Sequence, residues 1–216
     1  TRPVSSAASD VYKRQLFEPK RPVATNISNK VLSVKINEVK PDTQFGVTLK
    51  NIDLAVYQSE ILGIGGVAGN GQEELMQILT GEKKDRNVSI KYMDNDVEML
   101  NPRERREIGL AFAPEERLGH AAVANLNLLE TSLITDPKKR FQKKMGFIDF
   151  SELNEYTNEI IEKFNVKTTG VGALASSLSG GNLQKFVVGR EIGQKPSLFI
   201  VNQPTWGVDA LSLIHI

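Results

Sequence analysis

Gly66-Val67-Ala68-Gly69-Asn70-Gly71 has a glycine spacing that lets consecutive backbone N–H groups wrap a phosphate at the start of a helix. A phosphate loop that works on nucleotides ends in Lys and then Ser or Thr. The lysine reaches the β and γ phosphates and the hydroxyl holds Mg²⁺. Gln72 and Glu73 stand at those two positions. A positive charge is lost and a negative one gained, and each unit charge at contact is worth about 4 kcal/mol at an effective dielectric of ~20. A second stretch, LFIVNQPTWGVD over Leu198–Asp209, is an apolar run ending in Asn202 and Gln203. Two acids at the end of a buried strand are placed to hold magnesium and activate water. The amides found here hold water but do not act as general bases near neutral pH. The residues are compatible with weak nucleotide binding through the backbone and do not support efficient hydrolysis.

The elements that must position these residues are readable around them. EILGIGGVAG is expected to form a short apolar strand running into glycines. EELMQILTG has helix spacing at Leu75, Ile78 and Leu79 and is closed by Gly81. Strand, glycine loop and helix form the setting a phosphate loop requires. Upstream, VLSVKINEV alternates Leu32, Val34 and Ile36 with polar residues. GVTLKNIDLAVY repeats the alternation at Val47, Leu49, Ile52, Leu54 and Val56, so both read as half-buried strands. NPRERREIG places Asn101 as N-cap with Pro102 at the first helical position. GLAFAPEERLG reads as a buried strand leaving into a polar loop. SELNEYTNEIIEKFNV puts Leu153, Tyr156, Ile160, Ile161 and Phe164 on one helix face, with Ser151 expected as cap. SLSGGNLQKFVVGREIG passes from a small-residue loop into a helix, and LFIVN is a buried strand. The succession predicts an α/β domain with a helical insert and no internal repeat.

The 216 residues are 40% hydrophobic and 25% charged, as expected of one large domain. The 27 basic and 26 acidic residues leave a net charge of +1, so nothing in the charge balance points to nucleic acid or an anionic membrane. Cysteine is absent, which excludes disulfides and thiolate metal sites, and two histidines make a poor zinc centre. No apolar run approaches the roughly 20 residues that span a bilayer. TRPVSSAASDVYKRQ and LSLIHI lack periodicity and resemble translated library adapter. Residues 1–15 and 211–216 are therefore set aside as foreign, and His215 is given no role. A native disordered arm and a native final strand are the alternative reading of these ends. Residues 16–30, with Pro19 and Pro22, read as a linker.

Leu178-Ser179-Gly180-Gly181-Asn182-Leu183-Gln184-Lys185 resembles the LSGGQ-type signature of ABC ATPases, in its LSGGNxQK form. The glycine loop, this signature, the apolar strand and PTxGxD also follow in the family's order, over about residues 31–210. The resemblance implies a P-loop NTPase fold of ABC type, α/β, with an antiparallel β subdomain and a helical subdomain at about 116–185, truncated at its C-terminus. GVAGNGQEEL, APEERLG and QPTWGVD further resemble the second, degenerate nucleotide-binding half of tandem import ATPases for simple sugars and nucleosides. The GNGQ loop and QPT ending are closer to the nucleoside branch.

By that resemblance, Gly66, Gly69, Asn70, Gly71, Gln72 and Glu73 match the Walker A loop. Glu115, in PEER, matches the Q-loop position, where it binds a metal or only caps its loop. Asn202 and Gln203 match the Walker B acids, and Asp209 matches the D-loop aspartate. Leu178, Ser179, Gly180, Gly181, Asn182 and Gln184 form the signature, with Ser179 donating to a γ-phosphate oxygen at a helix's positive end. The resemblance implies that each ATP lies between one half's Walker A loop and the other half's signature. This chain would then complete its partner's ATP and Mg²⁺ site while its own stays silent. The implied partners are a first ABC half on the same polypeptide, transmembrane permease subunits and, indirectly, a substrate-binding protein, with no nucleic acid. The implied location is the cytoplasmic face of the inner membrane. A nucleotide-binding regulatory ABC module without transport shares every one of these motifs and is the competing expectation.

Three features admit ordinary readings. DPKKRFQKK is expected to be a solvated basic loop. Phe45 or Tyr57 could stack on adenine, with sheet packing as the default for both. Trp206 either stacks across an interface or packs locally.

Overall fold

The computed structural model describes residues 29–136, 139–143 and 146–205. Its N-terminal part is an antiparallel sheet in the order β2-β1-β3-β4. These strands are β1 (Lys30–Val39), β2 (Leu49–Tyr57), β3 (Val88–Tyr92) and β4 (Asn95–Asp96). The alternation read in β1 has its expected effect: Leu32, Val34 and Ile36 are buried and Lys35 faces out. Register pairs Val34 with Leu54 on one side and with Ile90 on the other. The outer face carries directly opposed charges, Lys35–Asp53 at 3.6 Å, Lys50–Glu38 at 3.2 Å and Lys91–Asp96 at 3.5 Å. All six side chains are largely exposed, so each pair adds at most about 1 kcal/mol.

Helix α1 (Gln72–Thr80) packs Leu75, Met76, Ile78 and Leu79 beneath this sheet. It ends, as the sequence predicts, at Gly81, whose φ of 86° lets its N–H reach back to Gln77 O and Ile78 O. Helix α2 (Pro102–Glu107) starts in a complete capping box. Asn101 Oδ1 accepts from Glu104 N at 2.9 Å, and Glu104 Oε2 accepts from Asn101 N at 2.7 Å.

A parallel pair follows, β5 (Leu110–Ala113) beside β6 (Leu198–Val201). Between them in sequence lie α3 (Leu128–Ile134), α4 (Phe150–Lys163), a 3₁₀ turn (Ala175–Ser177) and α5 (Gly180–Gly193). The face expected of α4 is the buried one, with Leu153, Ile160 and Phe164 in the interior and Tyr156 and Ile161 half-buried. Its cap is Asp149 rather than Ser151. Asp149 Oδ1 accepts from Ser151 N and Glu152 N, so the helix begins two residues earlier and Ser151 lies inside it.

The strand expected at EILGIG does not form. Residues 61–67 lie outside any strand, with Ile61 97% and Ile64 57% exposed. A parallel strand needs hydrogen-bonded neighbours and cover on both faces. Among the described residues the parallel ladder ends at β6. A groove of about 1250 Å³ separates β6 from Ile61, Leu62 and Ile64, which leaves the segment without a strand to pair with.

Candidate phosphate loop and signature cleft

The glycine loop leads into α1, with Gly69 at φ 83° and Gly71 at φ 99°. Gly71 is the N-cap, and no side chain caps this helix end. Gln72, at the position where a lysine would reach outward to phosphates, turns back instead. Its Oε1 accepts from Asn70 N at 2.9 Å and its Nε2 donates to Val67 O at 2.9 Å. Glu73 and Glu74 are the charged groups of the first turn. Glu74 is engaged elsewhere, accepting from Val47 N at 2.7 Å.

Glu73 lines a cleft of about 620 Å³ together with Glu115, Arg117, Asn202, Leu178 and Gly180. The cleft thus gathers the start of α1, the loop after β5, the end of β6 and the start of α5. Asn202 continues the parallel ladder through its N–H to Ala113 O at 2.9 Å, and its side-chain amide lies 3.5 Å from Glu115 Oε2. The contact is long and weak, but it places the two side by side. Gln203 stands next to Asn202 in a left-handed conformation, φ 48°, and does not line this cleft. Gly66, Gly69, Asn70, Gly71 and Gln72 are also outside it. Among the described residues no three acidic or imidazole side chains converge as a metal cage.

Ser179 is the N-cap of α5. Its Oγ accepts from Asn182 N at 3.4 Å and from Asn182 Nδ2 at 2.9 Å. Asn182 Oδ1 in turn accepts from Lys167 N at 2.9 Å, which ties the signature loop to the end of the helical insert. Ser179 and Gly180 are exposed, and Gly181 is half-buried. Gln184, counted with the signature, points inward instead: it is 1% exposed and neither amide atom has a partner. Asp209 and Trp206 lie outside the described residues.

Beyond the signature, α5 is buried on every side from Leu183 to Glu191. Its lower half is held by charges that the motif reading did not single out. Arg190, 1% exposed, donates to Glu191 Oε1 at 2.8 and 3.1 Å, to Ala121 O at 2.9 Å and to Thr131 O at 3.2 Å. Arg106 closes the network on the other carboxylate oxygen of Glu191. Burial pushes the Arg190 guanidinium pKa down, and the Glu191 charge opposes that shift. One guanidinium therefore joins α5, α3 and the loop that starts at Glu115. Arg117, read only as part of PEER, lies against Gly180 so closely that a Cβ there would sit 2.4 Å from its Nη1. A pattern search by residue type finds neither residue, because their neighbours, Ala121 and Thr131 for Arg190 and Gly180 for Arg117, lie 59 to 69 residues away in sequence.

The other expectations divide. Phe45 is 93% exposed and does not pack on the sheet, whereas Tyr57 is half-buried at the end of β2. The basic run is not a wholly solvated loop. Phe141 is 1% exposed, and Arg140 lies over the rings of Phe141 and Tyr156 at 4.3 and 3.9 Å. Residues 137–138 and 144–145 of that region are outside the described residues.

Comparison with known proteins agrees with this fold. A family profile described as ABC transporter matches residues 49–206. The nucleoside import ATP-binding protein NupA of Lactococcus lactis is 36% identical over 187 residues, covering 86% of this chain and 37% of that protein. The guanosine import ATP-binding protein NupO of Bacillus subtilis is 34% identical, covering 81% and 34%. The glucose import ATP-binding protein TsgD13 of Haloferax volcanii is 35% identical, covering 74% and 30%. The chain spans about a third of the length of these relatives. Among solved structures, the dimeric post-hydrolysis state of the ATP-binding cassette MJ0796, bound to ADP and Pi, matches with a TM-score of 0.71 at 19% identity, over 86% of this chain and 79% of that one. The ATP-binding cassette MJ1267 matches at 0.65 and 20% identity, over 87% and 74%. At such identities the likeness is one of fold, and the fold is that of an ATP-binding cassette.

Proposed function

The chain belongs to the ABC transporter ATP-binding family, and on that premise we propose that it is the signature-donating half of an import ATPase for nucleosides or simple sugars. The observation that carries this reading is the contrast between its two phosphate-facing ends. At the start of α5 the Ser179 hydroxyl and the N-terminal backbone of a long, anchored helix are open to solvent. At the start of α1 the lysine is absent and Gln72 has turned inward.

A γ-phosphate brought by the partner half fits the α5 end. Exposed Ser179 Oγ can donate to a phosphate oxygen, and the exposed backbone of Gly180 stands beside it at the positive end of α5. ATP supplies the transferable phosphoryl group and Mg²⁺ neutralises its charge, mainly at that shared site. Leu178, Gly181 and Asn182 shape the loop around Ser179, while Gln184 packs its helix inside. The chain's own loop, Gly66, Gly69, Asn70, Gly71, Gln72 and Glu73, offers no cation. Asn202 and Gln203 replace carboxylates, so no residue there takes a proton from water. Glu115 is the acid beside Asn202 and is the one proposed to sense a bound cation. Asp209 is assigned to the interface with the partner half.

The partners proposed are a first ABC half on the same polypeptide and transmembrane permease subunits, with a substrate-binding protein acting through them. The complex works at the cytoplasmic face of the membrane. No helix among the described residues is long and apolar enough to cross a membrane, so attachment through the permease accounts for that location. The names of NupA and NupO favour nucleosides as the cargo class.

The test is ATP turnover by the complete transporter. Ser179→Arg is expected to lower it by at least about 100-fold, the scale of losing a preorganised donor to a transferring group. Gln203→Ala is expected to leave it within about twofold, since an amide there contributes no base. A damaging Gln203→Ala beside a silent Ser179→Arg would reverse the assignment of the two ends.

A further inference from the structure

We propose that Gln72 determines what the glycine loop accepts: its carboxamide occupies the loop from within and holds it shut against phosphate. The proposal rests on the reading of residues 66–73 as a phosphate loop, and it replaces a weakened site with a closed one.

Two hydrogen bonds carry it. Asn70 N–H, in the middle of the loop, donates to Gln72 Oε1 at 2.9 Å, and Gln72 Nε2 donates to Val67 O at 2.9 Å. One planar group thus spans the loop and satisfies a backbone donor that a phosphate oxygen would need. The chemistry is selective. A carboxylate of the same length accepts from Asn70 but has nothing to give Val67, and an ammonium does the reverse. Asparagine carries both functions but is one methylene shorter. The loop is also shaped around this group. A Cβ at Gly66 would sit 2.9 Å from Gln72 Nε2, so glycine there leaves room for the amide. Positive φ at Gly69 and Gly71 makes the turn that brings the Asn70 N–H within reach.

A phosphate must displace Oε1 to reach that N–H, and the site offers little in exchange. The charged side chains of the first turn of α1 are Glu73 and Glu74. Both repel an anion at the helix end that would otherwise attract one. The closed loop is therefore its resting state, and nucleotide at millimolar concentration leaves it closed.

Peptide-resolved hydrogen exchange over residues 63–76 of the full-length protein tests this, with pyrophosphate and MgATP as probes. In the wild type neither probe changes exchange in the loop, and the Asn70 amide exchanges more slowly than that of Gly69. Gln72→Ala speeds exchange at Asn70. Gln72→Ala or Gln72→Lys then shows pyrophosphate protection of Gly66–Gly71 at a concentration at least about tenfold below any effect on the wild type, the scale of about one net hydrogen bond released. Melting temperatures within a few degrees of each other certify the variants, and the wild-type exchange pattern stands without them.

The proposal is overturned if the wild-type loop is protected at the same pyrophosphate concentration as the variants. It is also overturned if both variants exclude pyrophosphate as fully as the wild type, or if Gln72→Ala leaves Asn70 exchange unchanged. These outcomes are independent of the Ser179 experiment. A silent Ser179→Arg with a closed wild-type loop removes the shared-site reading and keeps the plug, and the converse keeps the shared site alone.

Discussion

Arg105 finishes the helix behind the glycine loop. It is fully buried, and its guanidinium donates to Ile78 O at 2.9 Å and Leu79 O at 2.8 Å, carbonyls at the end of α1, and to Leu100 O and Glu98 O at 3.2 Å. Burial lowers its pKa to about 10, opposed by the Glu98 charge, so it remains a cation at neutral pH. Arg105→Met removes every one of these donors at once. It is expected to cost about 3 kcal/mol, read as a lower urea midpoint at unchanged slope. Such a residue is hidden from pattern reading because its partners are main-chain oxygens, the two on α1 being distant in sequence. Gln72 is hidden for a related reason: its type and position are plain, but its direction depends on the path of the loop. Asn101 and Gly81 are legible because capping is local and acts within a few residues of the cap.

At the scale of elements, α4 and α5 approach so closely that Gly189 and Gly193 have no room for a side chain. A Cβ at Gly189 would lie 2.6 Å from the Phe164 ring and 2.9 Å from Ile160, and one at Gly193 would lie 2.7 Å from the Tyr156 hydroxyl. Propensity alone favours alanine over glycine inside a helix by about 1 kcal/mol. Here overpacking wins, and Gly189→Ala is expected to destabilise by about 1–3 kcal/mol in thermal or urea unfolding. A stabilised Gly189→Ala protein would mean that the two helices are not in contact.

Alternation and caps made β1, β2, α1, α2 and α5 readable in outline, and short apolar runs did so for β5 and β6. β3 is not legible because VSIKY is too short for its period to stand out, and its three buried residues gain their meaning from distant partners, β1 and the core cluster around α1. The start of α4 was misplaced because Asp149 and Ser151 are both good caps, and the chain uses the one that also pairs with Lys143 at 2.9 Å. The strand at residues 61–65 failed for a non-local reason: its pattern is right, but β6 does not reach it.

On the scale of the whole molecule, three apolar clusters run from the antiparallel sheet through α1, β5 and β6 to α5, and from α5 to α3 and α4. The groove beside β6 interrupts this order and leaves Ile61 and Ile64 in water. Ile64→Lys in this chain is therefore expected to change stability by no more than about 0.5 kcal/mol. Ile78→Ala, in the centre of the first cluster, should cost about 2–5 kcal/mol. Paired urea curves check both, and a costly Ile64→Lys would restore the strand.

The position of the charges has a consequence for behaviour in salt. Those on the antiparallel sheet face solvent and are screened within a Debye length of about 8 Å at physiological ionic strength. Arg190 and Glu191 are enclosed, and no counterion reaches them. Raising ionic strength thus loosens the sheet's outer lattice and weakens whatever association relies on surface charge, while α5 keeps its seat. The Ser179 end of α5, the end proposed to meet a partner's phosphate, is thus the part whose orientation the ionic medium disturbs least.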